Sequence, residues 1–82
     1  MFKILVIDDD AVIRDMLTEV LGDAGYAVEA AADGIEALRM IKAAPPDLIV
    51  TDIIMPEQDG VGVMLQLAKE HPDIKIIAIS GG

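Results

Sequence analysis

Asp8-Asp9-Asp10 directly follow the apolar run Ile4-Leu5-Val6-Ile7, and Asp52 closes a second run, Leu48-Ile49-Val50-Thr51. Carboxylates at the tips of buried strands can hold a hard cation or attack an electrophilic phosphorus. If the two strands are neighbours, Asp8, Asp9 and Asp52 converge. Two unit charges about 4 Å apart repel by roughly 4 kcal/mol at an effective dielectric of about 20, so such a cluster calls for an offsetting charge. Mg2+ fits, because it takes a few carboxylates and keeps its remaining positions for water and phosphate oxygens. Asp52 stands alone at its strand end and is placed to act as nucleophile, forming an aspartyl phosphate, while Asp8 and Asp9 hold the metal. Ser80, after the run Ile76 to Ile79, could donate its hydroxyl to a phosphoryl oxygen. A single Asp after a strand is ordinarily a helix cap or a loop residue, and Asp10 reads as a cap rather than a ligand. Specificity lies in the joint pattern of D-D after one strand and D-x-x-M-P-x-x-D-G, residues 52–60, after another.

The elements that would position these acids follow from periodicity. The first run is continuously apolar, as in a strand covered on both faces. From Ala11 the spacing becomes helical, with Val12, Ile13, Met16, Leu17, Val20 and Leu21 on one side and Arg14, Asp15, Thr18 and Glu19 on the other. Gly22 or Gly25 ends that helix. Tyr26 to Ala30 reads as a second strand. Asp33-Gly34-Ile35-Glu36 has capping-box spacing and opens a helix with Ile35, Leu38, Met40 and Ile41 inward, closed by Pro45-Pro46. A third strand runs to Asp52, residues 53–59 form a loop, and Val61 to Glu70 form a third helix. Ile74 to Ile79 is the fourth strand. The order β-α-β-α-β-α-β with short connections implies a parallel sheet with helices on both faces.

Composition narrows the chemistry. The chain of 82 residues is 54% hydrophobic, which sets it apart from disordered sequences and limits it to one domain. With no Cys and one His, thiolate chemistry and ordinary structural zinc are excluded. Six basic residues against fifteen acidic ones give a net charge of −9, which disfavours direct binding to nucleic acid or an anionic membrane. No apolar run approaches a signal peptide or a membrane span, so a cytoplasmic location is the default expectation.

The chain resembles the receiver domain of bacterial response regulators. The resemblance runs through Ile4-Leu5-Val6-Ile7-Asp8-Asp9-Asp10, Gly25-Tyr26, Ala32-Asp33-Gly34 with Glu36-Ala37-Leu38, Pro46 to Pro56, Asp59-Gly60 and Ile77-Ala78-Ile79-Ser80-Gly81. It implies a flavodoxin-like α/β fold with sheet order 2-1-3-4 for the strands present. It implies that Asp52 is the phosphoacceptor and that Asp8 and Asp9 are the acidic metal pair. The main-chain carbonyl of Ile54 becomes a further Mg2+ ligand, and Ser80 the hydroxyl that moves toward the phosphoryl group. The implied donor is the phosphohistidine of a sensor kinase or phosphotransfer protein, making the domain a two-component switch rather than a turnover enzyme.

The sequence departs from the family pattern at its end. Receivers have five strands and five helices, and these residues stop after the fourth strand, so residues 1–82 read as a truncated receiver domain. The lysine that follows the fifth strand has no match among Lys3, Lys42, Lys69 and Lys75, which leaves phosphotransfer impaired. The Ile-rich fourth strand becomes an open edge, and Val12, Met16 and Val20 become a candidate exposed patch. Both point to self-association through the fourth strand. Two competing functions remain. A structural module would bind a kinase or itself without phosphotransfer. A phosphatase would use Asp8-Asp9-Asp10-Ala11-Val12 as D-x-D-x-V, with Asp8 as nucleophile and Asp10 as general acid.

Overall fold

The computed structural model describes residues 1–52, 54–55, 58–59, 66 and 69–79, the side chains of residues 54, 55, 58 and 59 excepted. The elements run β1 (Lys3–Ile7), α1 (Ala11–Asp23), β2 (Ala27–Ala31), α2 (Gly34–Ala43), β3 (Leu48–Asp52), β4 (Ile54–Met55), β5 (Gln58–Asp59) and β6 (Lys75–Ile79). Gln66, Lys69 and Glu70 are helical, and the remainder of the expected third helix lies outside the described residues.

The main sheet has the order β2-β1-β3-β6 with every pairing parallel. This is the flavodoxin-like order expected, β6 being the fourth strand of that sheet. Its register pairs Ile7 with both Ala31 and Thr51, so the central strand ends level with its neighbours. Leu5, Ile7 and Ile49 pack with Ala31, Ala37 and Ile41 in one buried cluster, with Leu38, Met40, Ile74 and Ile76 against it. Successive strand side chains alternate in direction, so Ile4 and Val6 face the opposite side, where they are also buried. The two aromatic residues, Phe2 and Tyr26, meet edge to face with ring centroids 5.7 Å apart, outside that aliphatic core.

Local chemistry sets the helix ends. Asp10 caps α1, its Oδ1 accepting from the Val12 amide at 2.9 Å and the Ile13 amide at 3.5 Å. The helix closes at Asp23, and Gly25 follows with φ of 100°, a conformation that L side chains rarely adopt. Asp33 caps α2 by accepting from the Glu36 amide at 2.8 Å. The returning bond of the expected capping box lands one residue early, with Glu36 Oε2 accepting from the Ala32 amide at 3.4 Å.

Two expectations are corrected. Within the span expected as a loop, β4 and β5 pair antiparallel, Ile54 with Asp59 and Met55 with Gln58. Strands of two residues are too short to leave a period in a sequence. Ile35 is not inward. It is 60% exposed, whereas Ala37 is fully buried. The capping geometry at Asp33 fixes the phase of α2, and residue 37 shares the inward stripe with residue 41. On α1, Val12, Met16 and Val20 are exposed as expected, while Ile13, Leu17 and Leu21 are half-buried.

Candidate functional site

Three elements deliver the acids. Asp52 is the last residue of β3, and Asp8 directly follows β1 on the adjacent strand. Asp9 begins the turn into α1. Each of Asp8, Asp9 and Asp52 offers a carboxylate oxygen, and these oxygens all lie within 4.8 Å of one another. Asp8 and Asp52 are buried, and Asp9 is exposed. The sheet therefore forms the floor of the site, and Asp9 forms its solvent-facing rim.

Asp8 is fixed from several directions. Its amide donates to the Ala31 carbonyl at 3.2 Å, extending the β2 ladder by one bond. Its Oδ1 accepts from the Asp10 amide at 2.8 Å, and its main-chain carbonyl accepts from Arg14 Nη1, also at 2.8 Å. Burial raises the Asp8 carboxyl above its ordinary pKa of 3.8, the Asp10 amide bond opposes that rise, and the charges of Asp52, Asp9 and Asp10 add to it. Thr51, buried beside Asp52, turns its hydroxyl to the Asp52 carbonyl at 3.3 Å.

The donor set suits a hard divalent cation. All three groups are carboxylates, and oxygens bound to Mg2+ at about 2.1 Å stand about 3 Å apart when adjacent and about 4 Å when opposite. The observed spacing is within a small side-chain adjustment of that pattern. Burial chiefly raises the Asp8 pKa and the neighbouring carboxylates add to it, so a cation bound there would favour its ionised form.

The structure thus brings together Asp8, Asp9 and Asp52, as the sequence predicts. Asp10 sits at the helix cap. Ile54 opens β4 two residues beyond Asp52, and Ser80 lies outside the described residues. The bond from Arg14 to the Asp8 carbonyl was not anticipated. Arg14 falls on the polar side of the helical pattern, and its six-residue separation from Asp8 spans a turn that no single period covers. Among the described residues, no helix is long and apolar enough to cross a membrane.

Comparison with known proteins gives a consistent picture. The family model for the response regulator receiver domain matches residues 4–82. "Response regulator MprA" of Mycobacterium ulcerans is 44% identical over 78 residues, covering 95% of this chain and 34% of that protein. The chain thus spans about a third of the length of the curated relatives it matches. Among solved structures, response regulator protein TrrA from Thermotoga maritima in complex with Mg2+-BeF superimposes with a TM-score of 0.93 at 38% identity, covering 100% of this chain and 71% of that one. TrrA in complex with the histidine kinase ThkA gives a TM-score of 0.91 at 38% identity, covering 99% of this chain and 70% of that one.

Proposed function

The chain belongs to the response regulator receiver domain family, and from that premise we propose that Asp52 accepts a phosphoryl group from a sensor histidine kinase or a phosphotransfer protein, with Mg2+ as cofactor. The convergence of the Asp8, Asp9 and Asp52 carboxylates within 4.8 Å carries this reading. The similarity to a receiver solved with Mg2+-BeF and to one solved with its kinase supports it. The chain covers about 71% of one such receiver, which supports reading residues 1–82 as part of a receiver unit.

Asp8, Asp9, Asp52 and the Ile54 carbonyl would hold the ion, which when bound supplies neutralising charge to the oxygens of the transferring group. A carboxylate oxygen of Asp52 then attacks phosphorus in line. The new bond is Asp52 O–P, the bond broken is N–P of the donor phosphohistidine, and its electron pair returns to the imidazole nitrogen. The Ser80 hydroxyl donates to a phosphoryl oxygen in the product. The module works as a signalling switch.

Incubation with Mg2+ and a small acyl phosphate, followed by intact mass measurement, tests this reading. The expected result is one labile phosphoryl increment that is lost in Asp52→Ala. No increment in the wild-type chain overturns it, and an increment that moves with Asp8 instead supports the phosphatase chemistry.

A second reading, an interaction module, is favoured by one observation. Ile77 in β6 is 50% exposed. An exposed apolar side chain on a strand suits contact with a partner surface, and a second copy of the chain would supply one. Sedimentation at micromolar concentration checks this: a dimer dispersed by Ile77→Lys supports it, and a monomer refutes it.

A further inference from the structure

The geometry points to Arg14 as a positioning residue for the acidic pair Asp8 and Asp9, an inference that rests on the Mg2+ reading above. Its ladder context makes the case. Pairing of β1 with β2 and with β3 ends at Ile7, so the Asp8 carbonyl lies beyond both ladders and needs another partner. Arg14 Nη1 supplies it at 2.8 Å. Arg14 is itself anchored, because its amide donates to the Asp10 carbonyl at 3.0 Å and its half-buried side chain leaves the first turns of α1.

The turn from β1 into α1 is therefore closed by three consecutive ties. The Asp10 amide binds Asp8 Oδ1, Asp10 Oδ1 binds the Val12 amide, and Arg14 binds the Asp8 carbonyl. Asp9, the exposed member of the triad, lies in the chain between the residues these ties join. In a chain with fifteen acidic residues, the Arg14 guanidinium donates to the Asp8 carbonyl, a main-chain group of the turn itself, which fits a group that shapes the turn.

Charge and geometry make opposite demands here, which gives the inference a sign. A cation beside the pocket repels Mg2+, so deleting a mere neighbouring charge tightens metal binding. Deleting a positioning residue loosens it, and partners behind metal ligands typically matter by about 10–100-fold in affinity.

The experiment titrates Mg2+ into the wild-type chain, Arg14→Met, Arg14→Lys and Arg39→Met, and measures amide hydrogen exchange at Asp10 without metal. The Arg39 variant removes the same charge from an exposed site on α2. Arg14→Met should weaken Mg2+ by about tenfold and speed Asp10 exchange. Arg14→Lys should fall between it and the wild type, and Arg39→Met should leave both readouts in place. Unchanged or tighter Mg2+ binding in Arg14→Met overturns the inference. If the wild-type chain binds no Mg2+, the metal reading fails separately. Exchange at Asp10 then decides: faster exchange in Arg14→Met keeps the positioning role, and unchanged exchange removes it. Should Arg14→Met fail to fold, Arg14→Gln carries the same two readouts.

Discussion

Asp8 and Asp52 directly follow Ile7 and Thr51, a paired couple on adjacent parallel strands, and so stand level with each other at one edge of the sheet. Strand alternation turns both side chains to the same face, opposite that of Ile7 and Thr51. Their carboxylates approach within 4.8 Å while both residues are buried. The register of one strand pair thus creates the electrostatic load that makes the site chemically useful. A slip of one residue would send one carboxylate to the other face.

Ligand linkage gives the first prediction. A cation that binds only the folded triad stabilises it by about 2.7 kcal/mol at a concentration near 100 times its dissociation constant. Urea unfolding with and without Mg2+ should show that gain in the wild-type chain, and a chelator should reverse it. In Asp9→Asn the gain should shrink at the same Mg2+ concentration. Equal gains in the two chains would remove Asp9 from the ligand set.

The cap of α1 gives the second. Asp10 satisfies helix amides at Val12 and Ile13, and loss of such a cap costs about 1 kcal/mol. Asp10→Ala should therefore unfold at lower urea while still gaining stability from Mg2+, because Asp10 is no part of the triad. Loss of the Mg2+ response would make Asp10 a ligand as well as a cap.

Packing of α2 gives the third. Ile41 is fully buried and Ile35 is 60% exposed. Ile41→Ala should cost about 2–5 kcal/mol through lost burial and the cavity left behind, whereas Ile35→Ala should stay within about 0.5 kcal/mol of the wild type. Comparable costs at the two positions would mean that α2 is rotated from the phase described.

These outcomes bear on how far the sequence could be read. The continuous apolarity of Ile4 to Ile7 and Leu48 to Val50 identified parallel strands, because strands buried on both faces leave no other pattern. The acids at positions 8, 9 and 52 were legible because strand ends place them without help from distant contacts. Ile35 was misplaced because a helix of ten residues tolerates a small phase error until a cap fixes it, and Asp33 does so in three dimensions. The β4–β5 pair and the Arg14 bond escaped because each is set by a local turn rather than by a repeating pattern.

The pKa of Asp8 supplies the last prediction. Burial, with repulsion from Asp52, Asp9 and Asp10, raises it in the folded chain above its ordinary 3.8. A raised carboxyl pKa favours the protonated form in the fold, so its contribution to stability is fully present below 3.8 and is lost as pH rises through the folded value. Asp8→Asn keeps an oxygen for the Asp10 amide but never ionises. Without metal it should therefore be more stable than the wild type at neutral pH, and the difference should fade as pH falls toward 3.8. Urea unfolding of both chains across that range, in the presence of a chelator, measures the difference directly. Added Mg2+ should then stabilise the wild type far more than Asp8→Asn. A wild-type chain more stable than Asp8→Asn at neutral pH without metal would mean that burial and the acidic neighbours do not disfavour the ionised Asp8 in the fold.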